Sequence, residues 1–136
     1  MNIICCISSI FHGFIIHQST KEKYLAHINN TGLVILTYFG VLSSVIKHGT
    51  SLEIAIQMDR LLMVLALCVY FTKTLSHIEH KYNQRLVLQT ATMYLYSKYG
   101  HPPPIQTVIH IFTHINASYT YWRILTVEEK RIRTIS

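Results

Sequence analysis

Three long stretches of this chain carry no Asp, Glu, Lys or Arg: Met1 to Thr20, Tyr24 to Ile46 and Tyr99 to Trp122. An uncharged apolar stretch of about 20 residues, wound as a helix, matches the hydrocarbon thickness of a bilayer. Such gaps are hard to reconcile with a water-facing surface on all sides. Half of the 136 residues are apolar and 13% are charged, and the mean hydropathy is +0.29. That composition excludes a disordered chain, an acidic scaffold and a coiled coil. No strand-period alternation, internal repeat or flexible linker competes with a helical reading.

The pattern predicts an all-α, polytopic transmembrane bundle forming one membrane domain over 1–136. Five spans are expected, near 2–16, 31–47, 58–75, 84–98 and 104–125. The first lacks a basic n-region and a small-residue cleavage site, so it reads as a span rather than a signal peptide. His101-Pro102-Pro103-Pro104 stops the fourth helix and leaves proline at the start of the fifth.

The net charge of +6 fits this topology better than it fits an anionic partner. With five spans, one side holds Lys21, Lys23, Lys73, Lys81, Arg85, Arg123, Lys130, Arg131 and Arg133, and the other holds Lys47, Arg60 and Lys98. The positive-inside rule then places the C-terminus in the cytosol. Nucleic acid is not expected, because the cations lie between apolar segments rather than along one stripe. Cys5, Cys6 and Cys68 lack metal-site or disulfide-framework spacing and read as buried free thiols.

Nine histidines in so apolar a chain are the chemical anomaly. Ionisable groups within a membrane are costly and usually kept for function, but histidine is the cheapest of them and can sit neutral on one hydrogen bond, so a lone histidine reads as structural. Two pairs share a helical face at i, i+4: Ser44 with His48, and His110 with His114. Neutral imidazoles on adjacent turns suit one zinc ion. Spacing alone says little, since the Ser-to-His step recurs at Ser8/His12, Ser76/His80 and Ser97/His101. Placement says more. Ser44 and His48 close the second span, Asp59 opens the third, and His110 and His114 lie in the same half of the last. These five residues therefore share one membrane depth. Three imidazoles would leave a coordination position for water, with a carboxylate and a hydroxyl beside it. Ser8/His12 has no following Asp and reads as packing, and His77, Glu79 and His80 read as part of a solvated basic loop.

The order Ser44-Val-Ile-Lys-His48, Asp59, His110-Ile-Phe-Thr-His114 resembles the alkaline ceramidase family. These are integral membrane zinc amidases within a superfamily that includes adiponectin-receptor-like and GPI-remodelling proteins. The string from His48 to Met63, with Thr50, Gln57 and Leu61, is more similar to ceramidases than to the receptor-like branch. The resemblance implies that Zn²⁺ is held by His48, His110 and His114, that Asp59 orients and deprotonates water, and that Ser44 stabilises the oxyanion. It implies hydrolysis of ceramide, a membrane lipid, to a sphingoid base and a fatty acid, in an endoplasmic reticulum or Golgi membrane. No protein partner is implied. The family's seven spans are here reduced to about five; Lys47 replaces its usual aromatic and Arg60 its usual acid. A GPI-remodelling type of lipid hydrolase and an inactive multi-pass protein are the alternative readings.

Overall fold

The computed structural model describes residues 2–99 and 101–135, and among these every regular element is helical. In chain order they are α1 (Ile3–Glu22), α2 (Tyr24–Asn29), α3 (Thr31–Thr50), α4 (Glu53–Leu75), a 3₁₀ turn (Ile78–His80), α5 (Lys81–Tyr96) and α6 (Pro103–Ile135). Local chemistry sets the boundaries. Asn2 caps α1, its side chain accepting from the Cys5 N–H at 3.0 Å. Ser51 ends α3 in the left-handed region at φ 55°, where the helix hands over to the extended Leu52. The proline run sits in the first turn of α6, where missing N–H groups leave no helical bond unmade.

The five long helices close into a ring. α1 packs on α3 and α6, α3 on α4, α4 on α5, and α5 on α6. A ring of five cannot alternate up and down throughout, so one neighbouring pair must run parallel. That pair is α1 and α6: Asn2 meets Thr107, Ser8 meets His114 and His12 meets Ser118, advancing together along both helices.

Burial is inverted relative to a water-soluble bundle. The outer surface shows Ile3, Ile7, Phe11, Phe14, Phe39, Leu61, Leu65 and Phe112, whereas Ser9, Thr37, Ser44, Asp59, Asn83, Thr90, His110, His114 and Ser118 are buried. With lipid outside there is no hydrophobic drive between helices. Small residues and interhelical hydrogen bonds then hold the bundle. Ser9 bonds Ser44 between α1 and α3 at 2.9 Å, and the Asn116 amide donates to Thr90 Oγ1 between α6 and α5 at 2.6 Å. The hydroxyls of Thr37 and Tyr70 join α3 to α4. A smaller apolar cluster that includes Ile16, Leu33, Val34, Val87, Ile124 and Leu125 fills the lower half.

Three helices, α1, α3 and α4, are long and apolar enough to cross a membrane. The helices differ from the expected spans at their ends: α1 runs six residues further, to Glu22, and α4 starts five residues earlier, at Glu53. α5 has 16 residues, about 24 Å at 1.5 Å per residue, and lies three residues earlier at its start than expected. α6 runs 33 residues, well past the expected end at 125, because its charged last turns find partners. Glu128 takes Lys73 Nζ at 3.1 Å, His80 Nε2 at 2.6 Å and Arg131 Nη1 at 3.1 Å, while Glu129 accepts the Ala26 N–H at 3.0 Å. His80, expected in a solvated loop, is thus fully buried. Two of the three thiols also differ from expectation: Cys5 is buried, but Cys6 is half-buried and Cys68 exposed.

Candidate metal centre

Asn2 fixes the upper end of the ring. Its N–H donates to the His48 carbonyl at 3.1 Å, and its side-chain amide donates to Thr107 Oγ1 at 3.2 Å. Its side-chain oxygen meanwhile caps α1. One residue therefore ties the start of α1 to the end of α3 and the upper part of α6. The Ser51–Leu52 turn returns the chain into α4 and brings Asp59 back beside the last turns of α3.

On this frame the five predicted residues meet at one end of the bundle. Ser44, Asp59, His110 and His114 line a cavity of about 70 Å³ that Leu67, Tyr70 and Val87 also line, and His48 is not among its lining residues. His48 faces His110 with ring centres 4.7 Å apart, and His110 faces His114 at 4.2 Å. His12 of α1 stacks on His114 at 5.0 Å, nearly parallel, so four imidazoles form a row from α3 across α6 to α1. The residues read as mere packing thus belong to the site: Ser8 Oγ bonds His114 Nδ1 at 2.9 Å, and His12 Nδ1 bonds Ser118 Oγ.

Two features bear on a metal. The Nε2 atoms of His48 and His110 are buried and have no hydrogen-bond partner. A buried polar atom left unpaired costs about 1–3 kcal/mol, so a pair of them facing one site fits a cation that would accept their lone pairs. The second feature differs from the expected ligand set. The compact group of donors, within 4.8 Å of one another, is Cys5, His48 and His110, and His114 is not part of it. Sequence reasoning missed Cys5 and His12. The signal was present: Asn2, Cys5, Ser9 and His12 recur at helical spacing along one face of an otherwise apolar segment.

Asp59 does not stand free. Lys47 Nζ holds its Oδ2 at 2.7 Å, and both side chains are about nine-tenths buried, at 11% and 10% exposure. Ser44 shares its hydroxyl bond with Ser9. The cavity can accept a small polar group against Ser44 and the imidazoles, with an apolar continuation towards Tyr70. Comparison with protein-family models, with curated proteins and with solved structures finds no match.

Proposed function

We propose that the protein is a membrane-embedded, zinc-dependent hydrolase of the ceramidase type, cleaving ceramide to a sphingoid base and a fatty acid. The observation that supports it is convergence. Residues from α3, α4 and α6, spread from Ser44 to His114, line one cavity whose remaining walls are mostly apolar, with Thr37, Thr90, Thr120 and His12 among them. Such a cavity suits an amide headgroup with its alkyl chains turned towards lipid. His48 and His110 carry the free nitrogens that would hold zinc, with His114 one turn further on. Zinc, when bound, supplies a Lewis acid that lowers the pKa of water and polarises a carbonyl. In this reading Ser44 would donate to a developing oxyanion, and Asp59 would orient water once Lys47 releases it. The chain crosses the bilayer five times in this reading. The cation-rich end with α2, Lys73 and the tail of α6 lies in the cytosol, and an endoplasmic reticulum or Golgi membrane is the proposed site.

Zinc content and ceramide turnover of purified wild type and His110→Ala test the proposal. Wild type is expected to carry zinc and turn over ceramide, and the variant to lose both. Equal zinc in the two proteins removes the hydrolase. Ester cleavage without amide cleavage would point to the GPI-remodelling type of reaction instead. One observation favours a second reading, an inactive multi-pass protein: the Lys47–Asp59 ion pair occupies the carboxylate that the chemistry needs. That reading predicts zinc binding without turnover.

A further inference from the structure

We infer that Cys5 is a metal ligand, and that Cys5, His48 and His110 together form the metal site of this protein. The inference rests on the proposed use of His48 and His110 as ligands and changes the third donor from His114 to Cys5.

Geometry comes first. Cys5 Sγ and one nitrogen from each of His48 and His110 lie within 4.8 Å of one another, already near the spacing of donors around one ion. Cys5 is 3% exposed and His110 8%. The free Nε2 atoms of His48 and His110 are the second, independent sign that something is to be bound there. His114, by contrast, spends its Nδ1 on Ser8 and stacks on His12, and it lies outside the mutual group although its ring centre is 4.2 Å from that of His110. Asn2 supplies the positioning: its bonds to the Cys5 N–H, the His48 carbonyl and Thr107 lock the first turn of α1 against the two histidine-bearing helices.

The electrostatics agree. Three neutral imidazoles would leave the full charge of a divalent ion next to Lys47, in a medium that screens poorly. Asp59 cannot offset it while paired with Lys47. A thiolate brings one negative charge into direct contact with the ion, and the positive end of α1, in whose first turn Cys5 lies, favours the thiolate form of that ligand. On binding, the Cys5 thiol gives its proton to solvent and its sulfur lone pair to the metal. One sulfur and two nitrogens suit zinc in tetrahedral geometry and leave the fourth position open. Cys5 thus adds a metal donor from α1, the helix whose Ser8 and His12 already flank His114.

Cobalt(II) titration of the reduced, purified full-length protein tests this, because a thiolate ligand gives an intense near-ultraviolet charge-transfer band that imidazoles do not. Wild type, Cys6→Ser, Cys68→Ser and His114→Ala are expected to show the band. Cys5→Ser is expected to lose it and to weaken cobalt binding by more than the roughly 100-fold that an outer-shell partner is worth. Cobalt binding without the band, abolished in His114→Ala, overturns the Cys5 assignment and leaves the three-histidine hydrolase standing. Absence of cobalt binding to wild type overturns both. A measurement on wild type alone guards against a misfolded variant: saturating zinc should slow maleimide alkylation of Cys5 at least about tenfold while leaving exposed Cys68 unchanged. Equal alkylation of Cys5 with and without zinc overturns the assignment.

Discussion

Lys47 and Asp59 form an ion pair within the bundle in which each charge depends on the other. Both side chains are nearly buried and lie 2.7 Å apart. Removing one partner of a buried pair strands the other charge, which typically costs about 3–5 kcal/mol. Some solvent reaches this pair, so Lys47→Met is expected to destabilise by about 2–3 kcal/mol. The double change Lys47→Met with Asp59→Leu should recover most of that loss, read by denaturant unfolding in detergent. A loss that simply adds between the two sites would show that the pair is not coupled. At this scale the sequence was only partly legible. The Ser-to-His step marked Ser44/His48 and Ser8/His12 equally; the following Asp59 set the first pair apart, but only the fold brings the second pair to the same histidine row. Ser8 and His12 flank His114, whereas Ser44 and His48 approach Asp59 and His110.

Among the elements, α1 and α3 pack tightly at Gly13. A Cβ there would lie 2.8 Å from Val41 Cγ1, and valine is stiff at χ1 and cannot swing clear. Ser9 and Gly13, one turn apart, form the small-residue face that lets the two backbones come together. Gly13→Ala should therefore destabilise the bundle by about 1–3 kcal/mol, shift α1 and weaken metal binding through Cys5. Gly32→Ala, where nothing lies within 4 Å, should be neutral or slightly stabilising, since alanine is the better helix former. Thermal unfolding of both variants checks the contrast. Of the five long helices, α1, α3 and α6 were legible from the charge gaps and the proline run, and α4 and α5 only from shorter apolar runs flanked by charges. The short α2 and the continuation of α6 to Ile135 were not, because polar segments of this kind are decided by partners such as Ala26, Lys73 and His80 rather than by periodicity.

At the scale of the molecule, the two ends of the ring differ. The upper end holds the candidate metal site; the lower end is a charged clasp built on Glu128, faced by Lys73, His80 and Arg131. Arg123 Nε donates to Asn83 Oδ1, which turns the Asn83 amide towards His80 Nδ1 and leaves His80 Nε2–H to donate to Glu128. Burial works to raise the Glu128 pKa, but the bonds from His80 and Lys73 outweigh it and hold the carboxyl down at about 2, against an ordinary 4.5. A depressed folded-state pKa means stability that is complete above the unfolded value. It should fade as pH falls from about 4.5 towards 2. Glu128→Gln should lower stability at neutral pH and flatten the profile across that window, as seen in unfolding midpoints against pH. An unchanged slope would show that the clasp does not carry the acid sensitivity.

The sequence by itself determined that the chain is helical and apolar enough for membrane crossing, because both follow from local composition and from the spacing of charges. It also placed Ser44, His48, Asp59, His110 and His114 at a common depth, which needs only helix direction and turn position. Which donors actually meet was decided by the closure of the ring. Lying α1 parallel to α6 brings Asn2 to Thr107 and Cys5 to His110, residues about a hundred positions apart. Helical periodicity relates neighbours within a few turns, and it holds no information about which helix comes to lie beside which.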